Sequence, residues 1–202
     1  MHIEPGVVEG AKLTLGYATA TGSIGFAAKL AVDAIKNSGA VAKGIVSLGV
    51  RSAIATALVF SFFQILPHQP VGVSEVHLIL GSTLFLMFGA PAAAIGLTLG
   101  LLVQGLFFAP FDLPQLGMNI TTLLVPLFAM SILARRIIPA NVAYKDVTYG
   151  QALALSTAFQ GGIVSWVAFW AFYGNGFGAE NIAQIGVFGA AYMTVIAVEP
   201  LV

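Results

Sequence analysis

Residues 91–109 read PAAAIGLTLGLLVQGLFFA, a stretch of nineteen positions without a charged side chain. A helix needs about 20 apolar residues to cross the hydrocarbon core of a membrane, and this stretch approaches that length. The whole chain has the same character, with 58% hydrophobic and 8% charged residues among 202. Soluble domains carry about 25% charged residues. The composition therefore predicts a polytopic membrane protein.

Seven apolar segments follow one another along the chain, separated by clusters of Pro, Gly, Asn and Asp that mark turns and loops. One of them, 76–90, is short, and a re-entrant loop is the alternative for it. We expect an all-α bundle of about seven transmembrane helices, forming a single domain over residues 1–202. The predicted segments are 11–31, 41–66, 76–90, 91–109, 119–138, 149–173 and 182–198.

The basic residues predict how the bundle lies in the membrane, because cytoplasmic loops carry an excess of Lys and Arg. If all seven segments cross and the N-terminus lies outside, seven of the eight basic residues face the cytoplasm, and Lys12 is the exception. If 76–90 did not cross, the loop with Arg135, Arg136 and Lys145 would move outside. We therefore expect the N-terminus outside, the C-terminus in the cytoplasm, and a multi-pass protein of the inner (plasma) membrane.

Several function classes are disfavoured by the composition and by missing motifs. The formal net charge is zero and no basic run is present, so nucleic acid is not an expected partner. The chain has no GxxxxGK[ST] motif for ATP and no Ser/His, paired-Asp or His-Glu-x-x-His set in its spans, so we do not expect an enzyme. Asp112, Glu180 and Glu199 are expected at membrane boundaries, which leaves no central acid for proton coupling.

The chain opens with Met1-His2, a pair that can chelate a metal ion. The terminal amine, the His2 backbone nitrogen and the His2 ring nitrogen Nδ1 close two chelate rings in one plane. Planar nitrogen donors suit Ni²⁺, Cu²⁺ or Co²⁺ rather than tetrahedral Zn²⁺. The bulk of His2 should protect Met1 from removal, and no cleavable signal peptide follows. We interpret residues 1–10 as a metal-binding segment; the alternative is a frayed terminus.

The planar site has a fourth corner, for which the chain offers two other histidines, His68 and His77. His77 lies at the outer entrance of 76–90, where a histidine is costly unless paired, so we favour it as the ligand. The alternative is an interfacial side chain that reaches water. His68 lies in the stretch PHQP and is interpreted first as a solvated loop residue. Glu75 is a candidate for orienting a ligand or attracting cations.

Small residues dominate residues 16–28, GYATATGSIGFAA, in the first predicted span. Ala18, Gly22 and Gly25 recur at or near four-residue spacing, which permits close helix packing. This face either packs within the subunit or docks another membrane subunit, and the two interpretations stay open.

Four blocks in order resemble a known family. They are Met1-His2-Ile3 with Gly6, Pro70-Val71-Gly72 with Ser74 and His77-Leu78, Leu101-Leu102-Val103-Gln104, and Leu116-Gly117 with Asn119. On these blocks the chain resembles the CbiM/NikM type of substrate-binding membrane subunit, which serves those energy-coupling factor (ECF) transporters, a type of ABC transporter, that carry cobalt or nickel. The opening is the most specific block, and the last third of the chain matches mainly in hydropathy.

The resemblance implies a metal site and a set of partners. Metal would be held in a plane by the Met1 amine, the His2 backbone nitrogen, the His2 ring and the ring of His77, with Ser74, Glu75 and Asn119 as supporting residues. It implies a membrane coupling subunit, docked on a face such as Ala18, Gly22 and Gly25, two ATPase subunits, and a separate small accessory membrane subunit. No cofactor is expected, because the Ni²⁺ or Co²⁺ is cargo.

Departures from the family pattern affect the surroundings of the site. Glu75-Val76 replaces smaller residues before His77, residues 109–114 lack the usual Gly-Gly, and Met118 precedes Asn119 in place of Ala. Two other function classes stay open: a membrane subunit for an organic micronutrient, and a non-transporting intramembrane enzyme or assembly protein.

Overall fold

Six α-helices make up most of the part of the chain that the computed structural model describes, residues 3–139 and 142–201. Short 3-10 turns extend or join several of them, which confirms the prediction of a helical bundle. The helices are α1 (Leu13–Lys36), α2 (Val41–Gln64), α3 (Gly81–Phe107), α4 (Leu116–Ile137), α5 (Tyr149–Asn175) and α6 (Ala179–Met193).

A two-stranded antiparallel hairpin lies between α2 and α3. Strand β1 (His68–Val71) pairs with β2 (Ser74–His77), and the register places His68 opposite His77. Gly72 makes the turn with a φ of 62°, a conformation that glycine adopts without strain. A Cβ at this position would overlap a backbone carbonyl of α6. The hairpin turn therefore packs directly against that helix.

A break divides α3 into two unequal parts. Gly89 has a φ of 77° and a ψ of 161°, outside helical geometry, and Pro91 lacks a backbone N–H. The first part, named the half-helix 81–88, is about 12 Å long, less than half of a hydrocarbon core of roughly 30 Å. The sequence predicts a break between 76–90 and 91–109, and Gly89 provides it. Segment 76–90 is not confirmed as a span of its own, because its first two residues complete β2 and the rest joins α3.

Five helical segments among the described residues are long and apolar enough to cross a membrane. Helix α1 is not among them, and its last third carries Lys29, Asp33 and Lys36. A multi-pass helical membrane protein is thus supported, whereas the prediction of seven transmembrane helices is not confirmed. The five segments are Val41–Gln64, Gly81–Phe107, Pro110–Ile137, Tyr149–Asn175 and Ala179–Leu201.

Glycines bring pairs of helices into backbone contact. A Cβ on Gly117 of α4 would lie 2.8 Å from the carbonyl carbon of Gly16 in α1. Gly100 of α3 approaches α2 closely as well, since a Cβ there would lie 2.5 Å from a methyl carbon of Val59 and 3.1 Å from the backbone nitrogen of Phe60. Helices in lipid associate through such close packing. Apolar side chains gain little free energy there by moving from the lipid tails to a helix interface, because both are apolar.

The two ends of the bundle differ in charge. Ile3 bonds to Asn119 near the start of α4, and Lys12 bonds to the Gly174 carbonyl near the end of α5; we name this the site end. Helix α1 runs alongside α4 in the same direction. The opposite end, named the basic end, therefore receives the last residues of both helices. Basic residues toward it are Lys29, Lys36, Lys43, Arg135, Arg136 and Lys145.

Two acids that we expected at membrane boundaries are buried. Asp112, in the 3-10 turn Pro110–Gln115, is 6% exposed, and Glu199, in the turn Glu199–Leu201, is 1% exposed. Both carboxyl groups are buried because these turns pack against the helices, and the expectation that they lie at membrane boundaries stays a prediction. Glu180 is exposed.

Candidate metal centre

The described chain begins inside the site, at Ile3. The predicted ligands Met1 and His2 lie outside the described residues. Ile3 is fully buried, forms an isolated antiparallel bridge with Ser74, and donates its backbone N–H to Asn119 Oδ1 over 2.9 Å. The Glu4 N–H reaches the Val73 carbonyl at 3.3 Å. The N-terminal segment therefore lies beside the start of β2, joined to it by a single antiparallel bridge.

Further contacts hold this segment at the site end. Val8 is fully buried in the core, and the Lys12 ammonium donates to the Gly174 carbonyl over 2.9 Å. A Cβ on Gly174 would overlap the Val7 carbonyl, so the segment packs against the end of α5. Because these anchors lie on both sides of Gly6 and Gly10, which have positive φ, the segment is folded rather than extended.

His77 ends β2 with its side chain fully buried. Its Nε2 lies 3.5 Å from Glu75 Oε2. The Phe63 ring meets the imidazole edge-on with a centroid distance of 5.0 Å. An imidazole in such a cage has a fixed orientation, which suits a ring that must present one nitrogen to an ion.

His68 covers the other side of this imidazole. The two histidine rings are stacked with a centroid distance of 4.9 Å and an interplanar angle of 7°. His68 Nδ1 lies 3.3 Å from the Leu66 carbonyl oxygen. The interpretation of His68 as a solvated loop residue is therefore corrected in part: it is exposed, but it belongs to β1. The sequence feature that could have indicated this pairing is the symmetry of the two histidines: His68 precedes Val71 by as many residues as His77 follows Ser74.

Three acidic side chains contribute negative charge at this end. Burial, followed by the neighbouring Glu75 carboxylate, raises the pKa of Glu4. Asp112 is close enough for its charge to interact with those of Glu75 and Glu4. A concave region with charge of one sign raises the local concentration of cations.

The predicted supporting residues meet at this site. Ser74 and Glu75 lie on β2 before His77. Asn119 is 1% exposed and accepts the Ile3 N–H. Phe63, which our sequence analysis did not single out, completes the cage from the last turn of α2. An apolar pattern alone offers no means to distinguish it from its neighbour Phe62.

The predicted docking residues lie apart from this site, on α1. Ala18, Gly22 and Gly25 are exposed, and a Cβ on either glycine would meet no atom within 4 Å. In the described part of the chain this small-residue face is therefore not used for packing within the subunit.

Fold and site together define a class, a multi-pass helical membrane protein with a buried imidazole and acidic side chains at one end. Residues 2–202 match the model of the CbiM family, described as the cobalt uptake substrate-specific transmembrane region. The chain belongs to this family, and the resemblance read from its sequence blocks is confirmed. It is a membrane component of metal uptake.

Two solved structures are similar to this chain in fold. A crystal structure of a truncated transition metal transporter has 19% identity and a TM-score of 0.72, covering 100% of this chain and 95% of its own. A crystal structure of a transition metal transporter has 19% identity and a TM-score of 0.70, covering 100% and 90%. The comparison with curated proteins finds no match. At this identity the structural likeness shows the fold alone.

Replacing Asn119 with Leu should release the N-terminal segment, because the buried Ile3 N–H loses its acceptor at a cost of about 1–3 kcal/mol. Asn119→Asp keeps an oxygen in place and should retain the bond. Hydrogen–deuterium exchange of residues 3–9 in detergent measures the release. Thr122→Val is the matched control, since this buried hydroxyl bonds to the Met118 carbonyl of its own helix. Unchanged protection of residues 3–9 in Asn119→Leu would contradict the anchoring role.

Replacing His68 with Ala should uncover one face of the His77 ring and remove a stacking contact worth about 0.5–1.5 kcal/mol. His68→Phe keeps the stack. We expect diethyl pyrocarbonate to modify His77 faster in His68→Ala than in His68→Phe, with mass spectrometry as the measurement. Gln69→Ala, at the next exposed position of β1, is the control. Equal rates in all three variants would mean that His68 does not shield the buried ring.

Proposed function

We propose that this chain is the substrate-binding membrane subunit of an ECF-type ABC transporter that takes up Ni²⁺ or Co²⁺. The ion is held in a plane by the Met1 amine, the His2 backbone nitrogen, the His2 ring and the His77 ring. Membership of a cobalt uptake family supports the cargo class. The main support for the site is the position of Ile3, the residue after His2. Ile3 is held beside the strand that ends in buried His77.

The direction of the strands supports this ligand set. Ile3 is antiparallel to Ser74, so positions before Ile3 and positions after Ser74 advance the same way along the sheet. His77 follows Ser74 in that direction within β2. In our proposal the first two residues continue along this path toward the imidazole.

The donor set accounts for the class of metal. Four nitrogens in a plane match the geometry that Ni²⁺ prefers, with Co²⁺ close behind, while Ca²⁺ and Mg²⁺ require oxygen ligands. The chain has no cysteine to supply thiolates. The nearby Glu4, Glu75 and Asp112 contribute attraction for a divalent cation without belonging to the ligand set.

The distribution of basic residues supports capture from outside. The basic end carries Arg135, Arg136 and Lys145, as cytoplasmic ends of membrane proteins do. We assign the site end to the outer face of the plasma membrane, where the ion binds before it is released inward.

Metal titration of the purified full chain, with its own N-terminus and the affinity tag placed after Val202, tests the site. We expect His2→Ala and His77→Ala each to weaken Ni²⁺ and Co²⁺ binding in calorimetry more than about 100-fold, since outer partners of a ligand are alone worth 10- to 100-fold. A Gly-Ser extension before Met1 should do the same, because it removes the free amine.

His68→Phe is the matched control, because it removes a histidine from the same face of the hairpin and keeps the stacked ring. It should lose less than the roughly 10-fold that is the smallest typical effect of removing a residue that orients a metal ligand. Undiminished binding in His2→Ala or in the extended chain would refute the planar site.

Transport further requires partners, for which we propose a membrane coupling subunit, two ATPase subunits and a small accessory membrane subunit. This chain binds the ion and hydrolyses nothing. The exposed face of Ala18, Gly22 and Gly25 is assigned to the coupling subunit, since small residues let two helices approach closely in lipid.

The double variant Gly22→Leu with Gly25→Leu should bind metal normally but fail to co-purify with the coupling subunit after co-expression. Gly100→Leu is the contrasting variant. Its side chain would overlap Val59 of α2, and overpacking of this kind destabilises a protein by about 1–3 kcal/mol. Normal co-purification of the double variant would mean that the coupling subunit docks on a different surface of this chain.

A further inference from the structure

The carboxylate of Glu199 lies deep in the bundle with four hydrogen-bond donors around it. Oε1 accepts the backbone N–H groups of Ser82 and Thr83 over 2.8 and 3.3 Å. Oε2 accepts the Ser156 hydroxyl over 2.6 Å and the Gln160 side-chain amide over 2.9 Å. An acid so buried is retained only when its oxygens are satisfied in this way.

Two of these donors belong to the first turn of the half-helix 81–88. The first N–H groups of a helix have no partner within it, and the residue before this helix, Leu80, supplies no side-chain cap. Glu199 caps the helix from a position more than a hundred residues away. Its negative charge also faces the positive end of the helix dipole.

A positive charge occupies the other end of the same half-helix. Arg51 of α2 donates from Nη1 to the Phe88 carbonyl over 3.0 Å, directly before the break at Gly89. Its Nε donates to the Ser47 carbonyl of its own helix over 3.2 Å, which fixes the guanidinium. The half-helix is thus held at both termini by charges whose signs match its dipole.

Gln160 joins this arrangement to His77. Besides Glu199, its amide nitrogen bonds to the Ile79 carbonyl over 2.8 Å, and the Ile79 N–H bonds to the His77 carbonyl over 3.0 Å. Gly81, the first residue of α3, packs without space for a Cβ against the Phe159 ring. Two residues of α5 therefore hold the segment that leads from β2 to the half-helix.

We propose that Glu199 and Gln160 are positioning residues for His77, with the half-helix 81–88 as the support that Glu199 and Arg51 hold in place. The proposal rests on the function proposed above. Glu199 orients the Gln160 amide, Gln160 holds the Ile79 carbonyl, and the segment 78–80 in turn sets where the imidazole of His77 presents its nitrogen. None of these residues touches the ion. They affect the ion only indirectly. By holding a ligating residue in place they change the affinity for the metal without a bond to the metal.

The discriminating variants are Gln160→Met and Ser156→Ala. Each removes one hydrogen bond to Glu199 Oε2, but Gln160 alone of the two also holds Ile79. In calorimetry with Ni²⁺, Gln160→Met should lose about tenfold or more in affinity, as is typical of outer partners, and Ser156→Ala less than about twofold. In the metal-free protein with labelled histidine, the His77 ring resonance should shift in Gln160→Met and stay in place in Ser156→Ala.

Glu199→Gln extends the test to the carboxylate. The new amide points a donor at the Gln160 donor, so this variant should resemble Gln160→Met in both measurements. Should it fail to fold, the comparison of Gln160→Met with Ser156→Ala decides alone. Glu180→Gln, an exposed acid at the start of α6, should change neither measurement.

Two results would overturn the proposal: an unshifted His77 resonance with wild-type affinity in Gln160→Met, or equal losses in Gln160→Met and Ser156→Ala. Failure of the proposed function looks different, because then the wild type itself binds neither Ni²⁺ nor Co²⁺. The His77 resonance is measured in the metal-free protein, so it tests the positioning role even if the wild type binds no metal.

Discussion

A backbone N–H or C=O that leaves its helix inside a membrane must bond to another protein group, because lipid offers none. The breaks in this chain are organised by that constraint. Asn119 accepts the Ile3 N–H, Glu199 accepts those of the first turn of α3, and Arg51 donates to the carbonyl before Gly89. Few polar side chains are available in so apolar a chain, and these three all serve irregular backbone.

The irregular backbone in turn gathers around His77. His77 ends the hairpin, the N-terminal segment lies beside the hairpin, and residues 78–80 lead from His77 to the half-helix 81–88, while α4 and α5 provide side chains that hold these segments. Beyond its first turn a helix uses its backbone N–H groups internally, so a ligand finds free backbone nitrogens only in the first turn of a helix or in chain outside helices. Packed helices also hold the side chains at this end in a fixed geometry, which the proposed metal site requires.

Much of the fold could be predicted from local patterns. Apolar runs identified the helices, and the Gly-Ala-Pro cluster at 89–91 identified the break in α3. The hairpin was missed because two four-residue strands are too short for a period to stand out, and the second merges into the apolar run that follows. Among the candidate site residues, His77 and Glu75 were singled out from their place at the start of an apolar segment, Ser74 and Asn119 from a family resemblance, and the structure brings the four to one end of the bundle. Met1 and His2 remain predictions.

The sequence by itself determined that this chain is a helical membrane protein of a metal uptake family, since hydropathy and short motifs are properties of neighbouring residues. Only the tertiary structure decided which polar groups meet. The bonds from Ile3 to Asn119 and from Ser82 to Glu199 join positions 116 and 117 residues apart. It also decided that Asp112 and Glu199 are buried. No local pattern encodes such pairs, because they exist only once the helices have packed and water is gone from between them.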